Sequence, residues 1–353
     1  MLCVSLFSGC GGLDLGITNA GFKVVLANDN DSFCQSSYLA NNPDATFHLG
    51  SVCELTEKKL REYLGSDFDG IDLLVGGPPC PPFSKSRFYR KDKPRGIDDP
   101  AGWETLSGYF NVLAELKPRA FLLENVPGME YKAHSDALVY ATDRASELGY
   151  SCSKKVVNAA NYGIPQIRER FIMVGLLDGY YEFPSETHHN AIKQTDLFGE
   201  TKDPWLTAGD AISDLDTEEN ASDEGHFAGG KHHSLLNEIP QGDNYLFFTE
   251  KRGYPNPKFE WRSRYWSFLL KLSPDLPSWT IQARRSNNMG PFHWRNRILR
   301  IEEIKRLQTF PDDWILSGNV ERQWRQVGNA VPPLLAEVIA KSIYSALRTH
   351  EKS

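Results

Sequence analysis

Short runs of β-branched and apolar residues alternate with stretches of helical spacing through the first half of the chain, a pattern that predicts βαβ units on a parallel sheet. Leu2 to Phe7, Lys23 to Ala27, Ile71 to Val75, Arg119 to Leu123 and Phe171 to Leu176 read as buried strands. Leu13 to Ala20, Ser32 to Asn41, Trp103 to Leu116 and Asp136 to Leu148 carry helical spacing or composition, and Gly21, Pro43, Pro118 and Gly149 stand where such helices close. After Leu177 the periodicity fades into Gly, Pro, Asp, Ser and aromatic residues with no internal repeat, which predicts a second domain or a long insertion. Helical spacing returns at Arg300 to Leu307 and, with a clear apolar face, at Pro333 to Leu347. That face needs a packing partner, and the N-terminal sheet is the available one. The expected class is α/β, a doubly wound, mostly parallel, Rossmann-like sheet accompanied by a smaller domain.

Length and composition agree with this division. The 353 residues, 40% hydrophobic and 24% charged, suffice for a large core and exceed the usual single-domain size. The longest apolar run, Phe171 to Leu177, is seven residues and too short for a membrane-spanning helix. The N-terminus has no basic region followed by a long apolar stretch, so no signal peptide is expected and the cytoplasm is the expected compartment. Six cysteines without a CxxC pair argue against both zinc and a disulfide framework. The pairs His188-His189 and His232-His233 match no metal spacing, so no metal is expected.

A net charge of −7 argues, taken whole, against a nucleic-acid partner. The average hides an asymmetry. Lys251 to Arg306 holds thirteen Lys/Arg against four Asp/Glu, and Lys85 to Arg95 holds six basic residues against Asp92, whereas Asp196 to Glu224 holds ten acidic residues against Lys202. A charge run alone is ordinarily a solvated face. Both basic stretches are interleaved with aromatics, namely Phe88, Tyr89, Trp261, Tyr265, Trp266 and Trp294, which keeps nucleic acid in play.

Doubly wound sheets bind ligands at the carboxyl ends of their strands, so the residues just after each strand carry most of the information. The first strand runs into Ser8-Gly9-Cys10-Gly11-Gly12-Leu13-Asp14, where glycines permit a tight turn and close approach of a ligand at a helix N-terminus. Asp14 replaces the last glycine of GxGxxG, which disfavours a dinucleotide. Asn28-Asp29-Asn30-Asp31 follow the second strand, where a carboxylate can accept both hydroxyls of a ribose. A nucleoside with a small charged tail, such as S-adenosylmethionine, fits better than NAD. After Ile71 to Val75 comes Gly76-Gly77-Pro78-Pro79-Cys80-Pro81-Pro82-Phe83-Ser84, in which four prolines stiffen the backbone around one thiol and mark Cys80 as a nucleophile rather than core filler.

The strand ending Leu122-Leu123 delivers Glu124-Asn125-Val126-Pro127-Gly128, and a carboxyl there is expected to be partly desolvated, its pKa raised for proton donation. A helix-capping acid is the plainer alternative for Glu124. In Gln166-Ile167-Arg168-Glu169-Arg170, strand alternation would project Arg168 and Arg170 to one side, although Arg-Glu-Arg could equally form a surface ion-pair set. Gln326 to Pro333 reads as a turn into the last helix.

In this order, the segments FSGCGG, GGPPCPPFS, ENV, QIRER, RLQTFPDDW and QVGNAVPP strongly resemble the blocks of the cytosine-5 DNA methyltransferases, over residues 1 to 177 and about 294 to 345. The resemblance implies an S-adenosylmethionine-dependent enzyme that transfers a methyl group to C5 of a cytosine flipped out of double-stranded DNA. It implies that Cys80 adds to C6, that Glu124 acts at N3, that Arg168 and Arg170 orient the ring, and that Asn125 and Pro79 hold the loop. The cofactor set it implies is Phe7, Gly9, Gly11, Leu13, Asp29, Asn30, Ser51, Val52, Asn329 and Ala330; at Ser51 the family usually has an acidic residue. The loop after Cys80, with Lys85, Arg87, Arg90 and Lys91, resembles the family's mobile active-site loop, and Arg284 and Arg285 join the expected DNA contacts. The implied division is a catalytic unit of 1–184 plus 320–353 and a smaller unit of 185–319, with the target-recognition region at about 185–289 forming a DNA cleft.

A stand-alone enzyme of this length resembles the modification half of a bacterial restriction–modification system, acting as a monomer without a stable complex with its endonuclease. The transfer-RNA branch of the same family is the nearest rival. It carries a Cys-Phe-Thr tripeptide in its recognition region, whereas no cysteine here follows Cys152. A DNA-binding scaffold without catalysis and a Cys-based hydrolase are the readings from other classes.

Overall fold

The computed structural model describes residues 1–79, 100–131, 135–190, 202–217 and 228–350. Its centre is a seven-stranded sheet built from β1 (Leu2–Leu6), β2 (Lys23–Asp29), β3 (Phe47–Leu49), β4 (Ile71–Gly76), β5 (Ala120–Asn125), β6 (Ser151–Asn158) and β8 (Glu169–Leu176). A two-residue strand, β7 (Gln166–Ile167), precedes β8. The order is β3-β2-β1-β4-β5-β8-β6, with parallel pairing from β3 to β5 and β8 antiparallel to both β5 and β6. The sheet is thus mostly parallel, as expected. The succession of strands reverses direction between β1 and β4, the place where such sheets open a ligand crevice.

Burial explains the near-continuous apolar runs of the central strands. Val4, Leu6, Leu73, Leu74, Val75, Phe121 and Leu123 are all fully buried because both faces are covered. The helices are α1 (Gly12–Asn19), α2 (Ser32–Asn41), α3 (Glu57–Leu64), α4 (Pro100–Leu116) and α5 (Ser135–Glu147), and all but α3 match segments of helical spacing. One face buries α4 and α5 together with Leu60 and Leu64 of α3. The other buries α1 against the C-terminal helix. At Gly16 a Cβ would come within 2.4 Å of the Pro333 carbonyl oxygen, so only glycine allows this approach.

The second region has little regular structure. It contains the strand pair β9 (His188–His189) and β10 (Asp203–Pro204), the short helix α6 (Ala208–Ile212), β11 (Ser278–Trp279), which pairs with β7, and α7 (Ile301–Leu307). Its own core contains Ile212, Leu236, Phe248, Phe268, Leu272, Phe292 and Ile304, and also takes in Cys10 of the first turn and Trp324 and Val327 of α8 (Val320–Asn329). The helix α9 (Pro333–His350) returns to the sheet, burying Leu335, Ile339, Ile343 and Leu347. Val320–Thr349 is long and apolar enough to cross a membrane by length and composition, although no single apolar run in the chain exceeds seven residues. Pro332-Pro333 interrupts the stretch, and the apolar face of α9 is already covered by the sheet.

Candidate active site

The carboxyl ends of β1, β2, β4 and β5 face one edge of the sheet, and the antiparallel β8 brings its beginning to that same edge. Register makes the meeting specific: Asn125 lies opposite Phe171 and Glu124 opposite Ile172, so Arg170 begins its strand where Glu124 finishes. Arg170 Nε sits 2.7 Å from Glu124 Oε1. The Glu124 carboxyl is 7% exposed. Burial pushes its pKa above the ordinary glutamate value, and Arg170 and Arg168 pull the other way without cancelling the rise.

The other Glu124 oxygen faces the turn that leads to Cys80. A Cβ on Gly77 would stand 2.7 Å from Oε2, so the carboxyl occupies the space that a side chain at position 77 would need. Among the described residues no hydrogen bond reaches Oε2. Asn125 ties the two strand ends together, its Nδ2 donating to the Pro78 carbonyl at 3.3 Å and its Oδ1 accepting from the Val126 amide at 2.9 Å. Pro79 is the last described residue of this turn. Cys80 and the four loop cations Lys85, Arg87, Arg90 and Lys91 lie outside the described residues.

Arg168 departs from the expected pairing with Arg170. It falls in the break between β7 and β8, where strand alternation does not apply. Its guanidinium is 1% exposed and donates to the carbonyls of Ile281 at 3.1 Å and of Gly328 and Ala330 at 2.9 Å each. Arg168 therefore bolts the second region and the α8–α9 turn to the sheet, while Arg170 is ion-paired to the Glu124 carboxyl. Gln166 has a related task, accepting from the Ile281 amide and donating to the Leu307 carbonyl.

The glycine turn after β1 is tied to the end of β2 by Asp29. Asp29 accepts the Gly9 amide on Oδ2 and the Asp31 amide on Oδ1, each at 2.9 Å, and its pKa is raised by burial. Phe7 adopts φ 55°, a left-handed conformation that costs a non-glycine residue about 1–3 kcal/mol. Such strain at the mouth of the crevice fits a backbone shaped for a ligand. A Cβ at Gly9 would meet nothing within 4 Å, so open space lies above the turn. Leu13 and Val52 are buried, whereas Asn30, Ser51 and Asn329 are exposed. Ser51 caps the turn Val52–Glu54, accepting from the Cys53 amide at 3.2 Å. A half-buried carboxylate beside a glycine turn with space over it suits a ribose-bearing cofactor such as S-adenosylmethionine.

Several side chains that shape this edge carried no signal in the sequence. Trp314 donates its indole N–H to the Cys10 carbonyl at 3.1 Å and lies over Gly11. Tyr38 packs on the same glycine and donates to Asp14 Oδ1 at 3.2 Å. Asp14, read only as a replacement for glycine, is wholly buried, which lifts its pKa to about 7. Of the arginines expected at DNA, Arg284 is exposed, while Arg285 is half-buried with Nη1 3.7 Å from Glu321.

Comparison with known proteins matches this arrangement to one family. The sequence profile described as C-5 cytosine-specific DNA methylase matches residues 1–345. The Type II methyltransferase M.SacI of Streptomyces achromogenes is 35% identical over 98% of this chain and 93% of its own length. M.FnuDI of Fusobacterium nucleatum, also a Type II methyltransferase, is 32% identical over 100% and 96%. Among solved structures, one described as a DNA modification methyltransferase encoded within an E. coli prophage superposes with a TM-score of 0.71 at 24% identity, covering 99% of both chains. The S. pombe Dnmt2 methyltransferase superposes at 0.64 with 17% identity over 99% of each chain, a likeness of fold. With the six blocks in order, the doubly wound sheet and a family match that spans nearly the whole length, this chain belongs to the C-5 cytosine-specific DNA methylases.

Proposed function

We propose that this enzyme methylates a cytosine within a short specific site of double-stranded DNA, drawing the base out of the helix and attacking it through Cys80. The observation that carries the reading is the buried Glu124–Arg170 pair beside the turn that leads to residue 80. Cytosine C5 is a poor nucleophile. Addition of the Cys80 thiolate to C6, with Glu124 hydrogen-bonding or protonating N3, makes C5 an enamine carbon. Acid–base assistance of this kind is worth roughly 10²–10⁴-fold. Burial raises the pKa of Glu124 above the ordinary glutamate value, which makes it a readier proton donor to N3, and Arg170 fixes its orientation. S-adenosylmethionine, when bound, supplies an electrophilic methyl group; Phe7, Gly9, Gly11, Leu13, Asp29, Asn30, Ser51, Val52, Asn329 and Ala330 would hold it. A base such as water takes the C5 proton as the C6–S bond breaks and Cys80 leaves as thiolate, which restores the aromatic ring. Extrusion of the base costs a few kcal/mol, which the basic residues after Cys80 and Arg284 would offset at the phosphates.

In this reading residues 1–184 and 320–353 work as the catalytic unit and 185–319 as the reader of sequence. The names of M.SacI and M.FnuDI support a modification role beside a cognate endonuclease, carried out by a single copy of the chain. The test supplies tritiated S-adenosylmethionine with duplex DNA and, separately, with transfer RNA. Label is expected in duplex DNA alone, with bisulfite sequencing of DNA from expressing cells locating one recurrent site, and Cys80→Ser is expected to reduce turnover to background. Full turnover by that variant would overturn the covalent route, and label in RNA alone would overturn the substrate.

A further inference from the structure

Within the second region, Trp261, Arg262, Ser263, Arg264, Tyr265 and Trp266 are six consecutive exposed residues. Tyr265 is 56% and Trp266 52% exposed, an unusual presentation of large rings. The backbone beneath them is held firmly. Asn244, fully buried, donates Nδ2 to the Trp266 carbonyl at 2.8 Å. The buried Tyr245 hydroxyl donates to the Arg264 carbonyl at 2.8 Å and accepts the Arg264 amide at 3.2 Å. The Ser263 amide closes a turn on the Glu260 carbonyl at 3.2 Å, and the Phe268 amide one on Tyr265 at 2.9 Å. A merely solvated face requires neither exposed rings nor two buried polar side chains committed to its shape.

The charges on this arm are also unusual. Two neighbouring cations are ion-paired, Arg252 with Asp243 at 2.7 Å and Lys258 with Glu238 at 3.2 Å, whereas Lys251 lies over the Trp261 ring at 4.6 Å. Arg262 and Arg264 make no ion pair among the described residues; their guanidinium groups lie over Trp261 and Phe268, at 5.9 and 5.7 Å from the ring centres. The position relative to the active site follows from contacts. The Trp266 ring meets Trp279 edge-on at 5.6 Å, Trp279 pairs with Ile167 across β11 and β7, and Thr280 Oγ1 donates to the Ile167 carbonyl at 2.8 Å. Three residues beyond Ile167 stands Arg170 with its partner Glu124.

We infer that Trp261–Trp266 is a preformed duplex-DNA contact surface, on which Arg262 and Arg264 take backbone phosphates flanking the target cytosine while Tyr265 and Trp266 lie against the sugar and base edges. This inference rests on the duplex-DNA reading and specifies which residues of the second region carry it. Guanidinium forks match phosphate geometry, and rings held rigidly in place lose little conformational freedom on binding. A protein partner would favour the same residue types, but two arginines with no ion pair among the described residues, on an arm whose Trp266 is linked through Trp279 and Ile167 toward Arg170, favour a polyanion.

The test measures binding of a fluorescein-labelled duplex of mixed sequence across a salt series, for the parent, Arg262→Ala/Arg264→Ala and Arg262→Lys/Arg264→Lys. Two lost phosphate contacts are expected to reduce the slope of log affinity against log salt by about 2 and to weaken binding at low salt by at least about tenfold. The lysine variant is expected to keep the parental slope, because either cation releases counterions. Calorimetric binding of S-adenosylmethionine and the urea midpoint are expected to match the parent in both variants, and kcat at saturating DNA to stay within about twofold while KM rises. A parental slope in the alanine variant would overturn the arm alone. Parent protein that binds single-stranded RNA or a protein partner but no duplex would overturn the arm together with the reading on which it rests.

Discussion

Two buried arginine–glutamate pairs, one in each region, are built to different ends. In the sheet domain Arg170 reaches Glu124 through a contact at 2.7 Å, both side chains keep slight exposure, and the second carboxylate oxygen faces the turn at Gly77. In the second region Arg297 clasps Glu303 with two parallel bonds, at 2.6 and 2.9 Å. The Arg300 amide adds a third bond at 2.7 Å, and His293 lies 3.6 Å away, its pKa brought down to about 4 chiefly by burial. Both oxygens of Glu303 thus accept hydrogen bonds from within the protein, which suits a structural pair. On Glu124, by contrast, no hydrogen bond among the described residues reaches the second oxygen, which faces the turn at Gly77.

The difference follows from how each region fixes its side chains. Around Glu124 the sheet ladder sets position, so polar side chains are left over for chemistry. Among the described residues the segment from 208 to 310 has almost no ladder, and buried polar groups replace it: Lys271 donates to the Ile239 carbonyl, Asn244 and Tyr245 pin the exposed arm, and Gln308 donates to Val327 at 2.7 Å. Buried polar networks of this kind specify a unique arrangement only when every member is satisfied.

Three measurements sharpen the contrast. The largest effect is expected from Glu124→Gln, which keeps the shape and removes the acid: kcat should fall roughly 10²–10⁴-fold, with a urea midpoint near the parent's. A kcat within tenfold of the parent would erase the distinction between the two pairs. Next, Arg297→Ala strands a buried carboxylate and should cost about 3–5 kcal/mol in urea unfolding, while turnover per folded molecule remains near the parent's. Unchanged stability would show that the clasp is not what orders the second region.

The smallest effect concerns pH. Burial of Asp14, with a small addition from repulsion by nearby Asp29, raises its pKa to about 7 in the folded chain against about 4 when unfolded, while hydrogen bonds from Ser5 and Tyr38 pull the other way. The folded state therefore binds that proton more tightly, and its contribution is complete below pH 4 and lost as pH rises through 7. Relative to the parent, Asp14→Asn should gain stability across that window by up to a few kcal/mol and then level off. A difference independent of pH between 4 and 8 would mean that the carboxyl is ionised throughout.

Much of the first half could be read directly. The apolar runs at Leu2, Lys23, Ile71, Arg119 and Phe171 became strands because a sheet covered on both faces needs such runs, and helical spacing located α1, α2, α4 and α5. The strand β6 carries no strand signature because its lysines interrupt the apolar pattern at an edge, and β3 is only three residues long. The helix α3 is mostly charged, burying only Leu60 and Leu64.

What the chain determined by itself was the set of chemically committed residues and the regular elements that present them, since strand ends, glycine turns and proline collars are encoded by neighbours a few positions apart. Tertiary structure alone decided which of two adjacent arginines would meet Glu124. Arg168 and Arg170 look alike in sequence, but a break in the strand sends one into the carbonyls of Ile281, Gly328 and Ala330 and leaves the other at the carboxylate. It likewise decided the burial of Asp14, the placement of Trp314 over the glycine turn and the rigid exposure of Trp266, because each depends on contacts with residues distant along the chain. Local pattern carries no information about such long-range partners.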